Sequence, residues 1–323
     1  MAKEKLKIAF YWAASCGGCE VAVLDVNEKI LDVVAAADIV FWPVAIDVKY
    51  KDVEAMPDKY IDACFFNGAI RTEENEKMAK LLRQKSKILV AFGSCANDGC
   101  VKGLANLWEK DDVFERAYLE TQSTVNPDKI TPQTCVKVKE GELDLPAIYD
   151  TVKTLPQTVD VDYTISGCPP PVPAILSMFT AFISGNLPPK GSSFLPEKSV
   201  CDECTREKKH TQITEIKRIY EIEDDGETCF LEQGVICLGP ATRGGCGCRC
   251  IEGNAPCRGC YGPPPDVTDP GAKMMSAVAT MIDANELKDI ERIVSQIADP
   301  AGTFYRFSLP SSILRRKVEH NMD

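Results

Sequence analysis

Histidine is nearly missing from this sequence: His210 and His320 are the only two in 323 residues. Zinc sites built from two cysteines and two histidines are thereby excluded. Basic charge is also short, with 37 Lys and Arg against 48 Asp and Glu and a net charge of −11. Without a basic field to release phosphate counterions, nucleic acid is excluded as the main partner. No apolar run is long enough to span a bilayer, so no membrane partner is expected. The opening MAKEKLKIAFYW lacks the apolar run and small-residue cleavage site of a secretory leader, and no twin-arginine leader precedes the first motif. The expected location is cytoplasmic. Nucleotide signatures are missing as well: there is neither G-x-G-x-x-G nor a P-loop lysine motif.

Cysteine is abundant instead, with sixteen in the chain. In a reducing compartment clustered thiols bind metal or react rather than pair as disulfides. Seven of the sixteen fall in Cys229–Gly262, CFLEQGVICLGPATRGGCGCRCIEGNAPCRGCYG, among glycine and proline. Such a segment cannot bury enough apolar surface to hold one shape unaided. Glycine and proline leave backbone N–H groups free to point at sulfur, which suits a small inorganic object and predicts iron–sulfur clusters, more than one.

Along the chain, LKIAFYW (6–12) reads as a strand leading into a glycine-rich turn with Cys16 and Cys19 in C-x2-C. A helix follows close to Cys19, with apolar positions Val23, Val26, Ile30, Val33 and Val34. Residues 38–45 and 60–68 read as buried strands of a parallel sheet, and 72–86 as an amphipathic helix with acidic first and basic last turns. KILVAFGSC is a further strand ending at Cys95. One helix is predicted near 106–120 and another within 144–154. VDYTIS is a strand with Cys168 at its end, and a proline-launched helix completes a doubly wound α/β domain.

Three strands thus end at cysteine. In an open parallel sheet the carboxyl ends line one ligand-binding edge, so Cys16, Cys19, Cys95 and Cys168 would meet there as four thiolates, the number a 4Fe–4S cluster takes. Packing explains Cys64, in mid-strand, and Cys135, in irregular sequence, well enough. After a linker at 186–197 come Cys201 and Cys204, a charged helical stretch around 212–222, and then Cys229 and Cys237. The chain closes with amphipathic helix over 269–300 and a tail whose Arg315, Arg316 and Lys317 read as solvated or at a subunit contact. Zinc held by four cysteines is the rival, since CDEC and PCRGC could each give half of a zinc ribbon. A redox dithiol at Cys16 and Cys19 fits poorly with a dozen further cysteines.

SCGGCE (15–20), GSCA (93–96), GCPP (167–170), CFLEQGVICLGPATRGGC and PCRGC, in this order, resemble the cluster motifs of NiFe-hydrogenase small subunits. Within that family the chain resembles the cytoplasmic branch, the gamma (G) subunits of F420-non-reducing, methyl-viologen-reducing hydrogenases of methanogens. The resemblance implies a flavodoxin-like doubly wound domain over 1–188 with the proximal cluster. A second, irregular and helical domain over 198–323 would carry the medial and distal clusters. It implies three 4Fe–4S clusters: proximal on Cys16, Cys19, Cys95 and Cys168; distal on Cys201, Cys204, Cys229 and Cys237; medial on Cys246, Cys250, Cys257 and Cys260. Cys201 stands where periplasmic relatives have histidine, and Cys250 where they have proline, with Cys248 close by as an alternative. Cys64, Cys100, Cys135 and Cys248 are left over, and Glu20 is a candidate interface residue.

The implied function is electron transfer without a catalytic residue of its own. Partners would be a NiFe-binding large subunit, an iron–sulfur adaptor (delta) subunit and heterodisulfide reductase. All-cysteine ligation suits low potentials. Alternatives are the small subunit of an F420-reducing hydrogenase or a formate-linked complex, and a zinc-bound scaffold.

Overall fold

The computed structural model describes residues 4–316. Lys317 and His320 lie outside the described residues. Five strands form the main sheet: β1 (Leu6–Trp12), β2 (Ala37–Phe41), β3 (Ile61–Asn67), β4 (Ser86–Phe92) and β5 (Tyr163–Ile165). All pair in parallel, in the order β2-β1-β3-β4-β5. That is the flavodoxin-like arrangement, in which the strand order reverses between β1 and β3. Register places Ala9, Cys64 and Leu89 side by side. Alternate residues therefore face opposite layers.

Phe10, Phe65 and Phe92 point to one layer, where α1 (Gly18–Leu24), α2 (Ile30–Ala36) and α4 (Val172–Ser184) contribute Val23, Val33, Ile175 and Phe179. Phe65 lies edge-on to Phe179 and Phe182, with ring centroids 5.4 Å away in each case. Tyr11, Phe66 and Ala91 face the other layer, covered by Met78, Ala79 and Leu82 of α3 (Glu73–Lys85). This helix starts at a capping box: Thr72 Oγ1 accepts from the Asn75 N–H and Asn75 Oδ1 from the Thr72 N–H, each at 3.2 Å.

Several expectations need correction. The helix after Cys19 is broken by a 3-10 turn at Asn27–Lys29, and the strand expected over 38–45 stops at Phe41. Residues 106–120 hold only a short α-helix, Lys110–Glu115, continued by a wider turn. No helix forms in 144–154. Ile148–Lys153 is a strand antiparallel to Ile70–Thr72, as its Ile148, Thr151 and Val152 favour. The stretch 212–222 forms no α-helix either, only a 3-10 turn at Ile219–Glu221. Its Ile213 N–H donates to the Met281 carbonyl at 2.8 Å and Lys217 N–H to that of Gly234 at 2.9 Å, so the segment threads between neighbours.

Residues 198–316 have little regular structure beyond α5 (Pro270–Met281) and α6 (Leu287–Ser295). Their core joins Phe230, Leu238, Ile251, Met274, Val278, Ile293 and Phe304 with Cys237, Cys248 and Cys257. Arg206 braces it, paired with Asp224 at 2.6 Å and lying 3.8 Å over the Phe230 ring.

The end of the chain returns to the first domain. Pro310 packs on Gly99 and Gly103, Gln157 Nε2 donates to the Pro310 carbonyl at 2.6 Å, and Cys100 N–H donates to the Phe307 carbonyl at 3.2 Å. Arg315 is exposed, and Arg316 is part-buried and pairs with Glu109. Among the described residues no helix is long and apolar enough to cross a membrane.

Candidate metal centres

β1, β4 and β5 end on the same edge of the sheet, and their following turns carry Cys16, Cys19, Cys95 and Cys168. Burial pushes the Cys19 thiol up, and the neighbouring Cys95, Cys168 and Cys16 sulfurs push it further. The four thiols therefore converge. Gly93 makes the approach possible: at φ +86°, a Cβ there would lie 2.4 Å from Cys19 Sγ. The Gly18 N–H donates to Cys16 Sγ at 3.4 Å.

A fifth thiol joins them, one the sequence left without a role. Cys100 is 1% exposed, and its S–H donates to Cys168 Sγ at 3.7 Å. This donor pulls the Cys168 thiol down to about 6 and also lowers Cys95, while Cys100 itself is pushed up. The sequence carried one signal, a second cysteine five residues beyond Cys95 in the same Gly-rich turn.

A cavity of about 260 Å³ is lined by Cys246, Cys250, Cys257 and Cys260 together with Cys168 and Pro169. Burial pushes Cys260 up to about 12, with Cys257, Cys250, Cys168 and Cys246 adding to it. Cys248 also touches this cavity, but its backbone is left-handed at φ +51° and its S–H donates to the Val200 carbonyl at 3.5 Å.

Farther along, burial pushes Cys201 up to about 12, reinforced by Cys229, Cys204 and Cys257. Cys237 is raised in the same way, first by burial and then by Cys257 and Cys201. Cys237 Sγ accepts the Cys257 N–H at 3.3 Å. The predicted ligand residues are thus spread from the sheet edge through the cavity to Cys201 and Cys237, with Cys168 beside Cys260 and Cys257 beside both Cys201 and Cys237.

Of the other cysteines, Cys64 is fully buried in β3. Cys135 is exposed on the hairpin Cys135–Val138/Gly141–Asp144 rather than packed in irregular chain, and its S–H donates to Glu142 Oε1 at 3.1 Å. Glu20 is corrected too. It is 6% exposed, and its carboxylate accepts from Asn67 Nδ2 at 2.9 Å and from Trp42 Nε1, because α1 turns it under the sheet edge instead of toward a partner.

The family model for the NADH ubiquinone oxidoreductase 20 kDa subunit matches residues 16–182, a span that holds the whole first thiol group. By this match the chain belongs to that family of cluster-domain subunits. Over 319 residues it is 41% identical to the iron-sulfur G subunit of the F420-non-reducing hydrogenase of Archaeoglobus profundus, covering 97% of this chain and 99% of the relative. It is 36% identical over 321 residues to the G subunit of the F420-non-reducing hydrogenase of Methanothermobacter thermautotrophicus, covering 98% of each chain. Within the family it is thus a hydrogenase small subunit of the F420-non-reducing G type. The H2-activated [NiFeSe]-hydrogenase of Desulfomicrobium baculatum shares the fold, with a TM-score of 0.50 and 17% identity over 82% of this chain and 97% of that one.

Proposed function

We propose that this chain is the electron-transfer subunit of a cytoplasmic NiFe hydrogenase, with three 4Fe–4S clusters on the three groups of four cysteines named above. When bound, such a cluster accepts and releases one electron at a time. The protein's own part is to hold each group of thiolates, to aim N–H donors at Cys16 and Cys237, and to keep Cys19, Cys95, Cys237 and Cys257 away from water.

The observation that carries this reading is the unbroken succession of thiol groups from the sheet edge, through the cavity, to Cys201 and Cys237. The spread of the sulfurs favours iron over zinc. A single zinc binds sulfur at about 2.3 Å, so its ligands lie within about 4.6 Å of one another. Among the described residues, no three of the predicted ligand sulfurs lie mutually within 4.8 Å; the one group that does is Cys135 with Glu142 and Asp144, all exposed.

The partners implied are a NiFe-binding large subunit at the exposed Cys16 edge, an iron–sulfur adaptor subunit and, beyond it, heterodisulfide reductase. Anaerobic purification with metal analysis tests the reading. Iron with acid-labile sulfide and co-purification of these subunits is the expected result, whereas colourless, zinc-bearing protein would overturn it. The isolated chain is expected to show no H2-dependent dye reduction.

A further inference from the structure

The proximal edge holds more thiols than a four-ligand site uses. Cys100 is buried, its sulfur stands 3.7 Å from Cys168 Sγ, and Cys95 is its other sulfur neighbour. Its backbone is held at φ +53°, ψ −156°, a region that essentially only glycine populates. A side chain kept in that conformation costs stability, and surrounding contacts must enforce it. Here they do: Gly99 at φ +88° precedes it, and its N–H is tied to the Phe307 carbonyl. A residue that served only as filling would not need this backbone, because glycine would adopt it without strain. The conformation has the effect of aiming the S–H at the Cys168 sulfur.

We infer that Cys100 is a positioning and tuning residue of the proximal site: it does not bind iron, and its S–H donates to the ligand sulfur of Cys168. This rests on the proposal that the four neighbouring cysteines hold a cluster. Hydrogen bonds to ligand sulfur are among the terms that set the potential of such clusters. A donor favours the reduced state, which carries more negative charge, so Cys100 raises the proximal potential. The exposed Cys16 and Cys168 leave that cluster open to a partner. The buried S–H is thus a lever that the protein keeps for itself.

The test uses the intact hydrogenase complex with Cys100→Ala and Cys100→Ser, reading iron content and the redox titration of the proximal signal by electron paramagnetic resonance. Both variants should keep the wild-type iron content and cluster type. Cys100→Ala should lower the proximal midpoint by an amount equal to about a tenfold change in the reduced-to-oxidised ratio, about 59 mV for one electron. Cys100→Ser, which keeps a donor, should recover part of that shift. An unchanged midpoint in Cys100→Ala would reduce Cys100 to packing. Loss of iron or a three-iron signal would make it a ligand. Either result overturns the inference. Absence of any cluster signal in the wild-type complex would instead sink the cluster proposal itself.

Discussion

The sheet domain and the cysteine-rich domain hold their thiols in different ways. In the first, Phe10, Phe65, Phe179 and Phe182 make a mostly aromatic and aliphatic core in which Cys19 is the one predicted ligand, and the rest of the thiol group hangs from the strand ends. In the second, Cys237, Cys248 and Cys257 are part of the core, and the chain around them forms only single turns and isolated bridges between strands. On the proposed function, the sheet part presents one cluster and the cysteine-rich part is built around two. Metal binding is therefore expected to be folding free energy in the second domain and far less so in the first.

Removing iron should break the comparison open most widely. In chelator-treated or iron-starved protein, amide exchange is expected to lose protection across residues 198–316 while β1, β3 and β4 stay protected. Equal loss in both domains would mean that the sheet also depends on its cluster. A narrower effect is expected from Gly93→Ala, which adds a Cβ 2.4 Å from Cys19 Sγ at a backbone φ of +86°. The proximal signal and its iron should vanish while the medial and distal signals persist, as resonance spectra and iron counts would show.

Within the second domain, Cys250→Pro should convert the medial site to a 3Fe–4S centre with a raised potential, visible as an oxidised three-iron signal. Residue 250 is in the first turn of the short helix Arg249–Glu252, where proline is tolerated, so the fold should survive. Cys248→Ala should produce no such signal; if it does and Cys250→Pro does not, the two exchange roles.

The smallest effect belongs to the sheet domain and to pH. Burial raises Asp98 to about 6, against the lowering effect of its bonds from Ser166 Oγ at 2.9 Å and Asn97 Nδ2 at 3.1 Å. A carboxyl raised on folding stabilises below its unfolded value and loses that contribution as pH climbs through its folded one. Stability should therefore fall by on the order of 2 kcal/mol from pH 4 to 7 through this group. Asp98→Asn should flatten that slope in urea titrations.

The sheet and its ligand edge were legible because long apolar strands, glycine turns and strand-end cysteines repeat the same local chemistry three times. The strand Ile148–Lys153 was not, since its partner Ile70–Thr72 is three residues long and distant in sequence. The segment 212–222 reads as helix by composition, yet its hydrogen bonds go to Met281 and Gly234, which no local pattern announces. Glu20 read as an interface residue because Trp42 and Asn67 reach it only once β2 and β3 are in place. Cys100 stayed unassigned for a like reason: its neighbours Cys168 and Phe307 come from far down the chain.

That last contact has a consequence in time. Cys100 leaves the ribosome about 200 residues before Phe307 and Pro310, which close over its turn. At roughly 5–20 residues per second, the interval is on the order of 10–40 s. Over about the last two thirds of it, once β5 and Cys168 have also emerged, the sheet can already be formed, with its strand-end thiols open to whatever delivers metal. The seal comes only with Phe307 and Pro310, so a chain cut short before Phe307 would keep every cysteine and still lack the cover over the proximal turn.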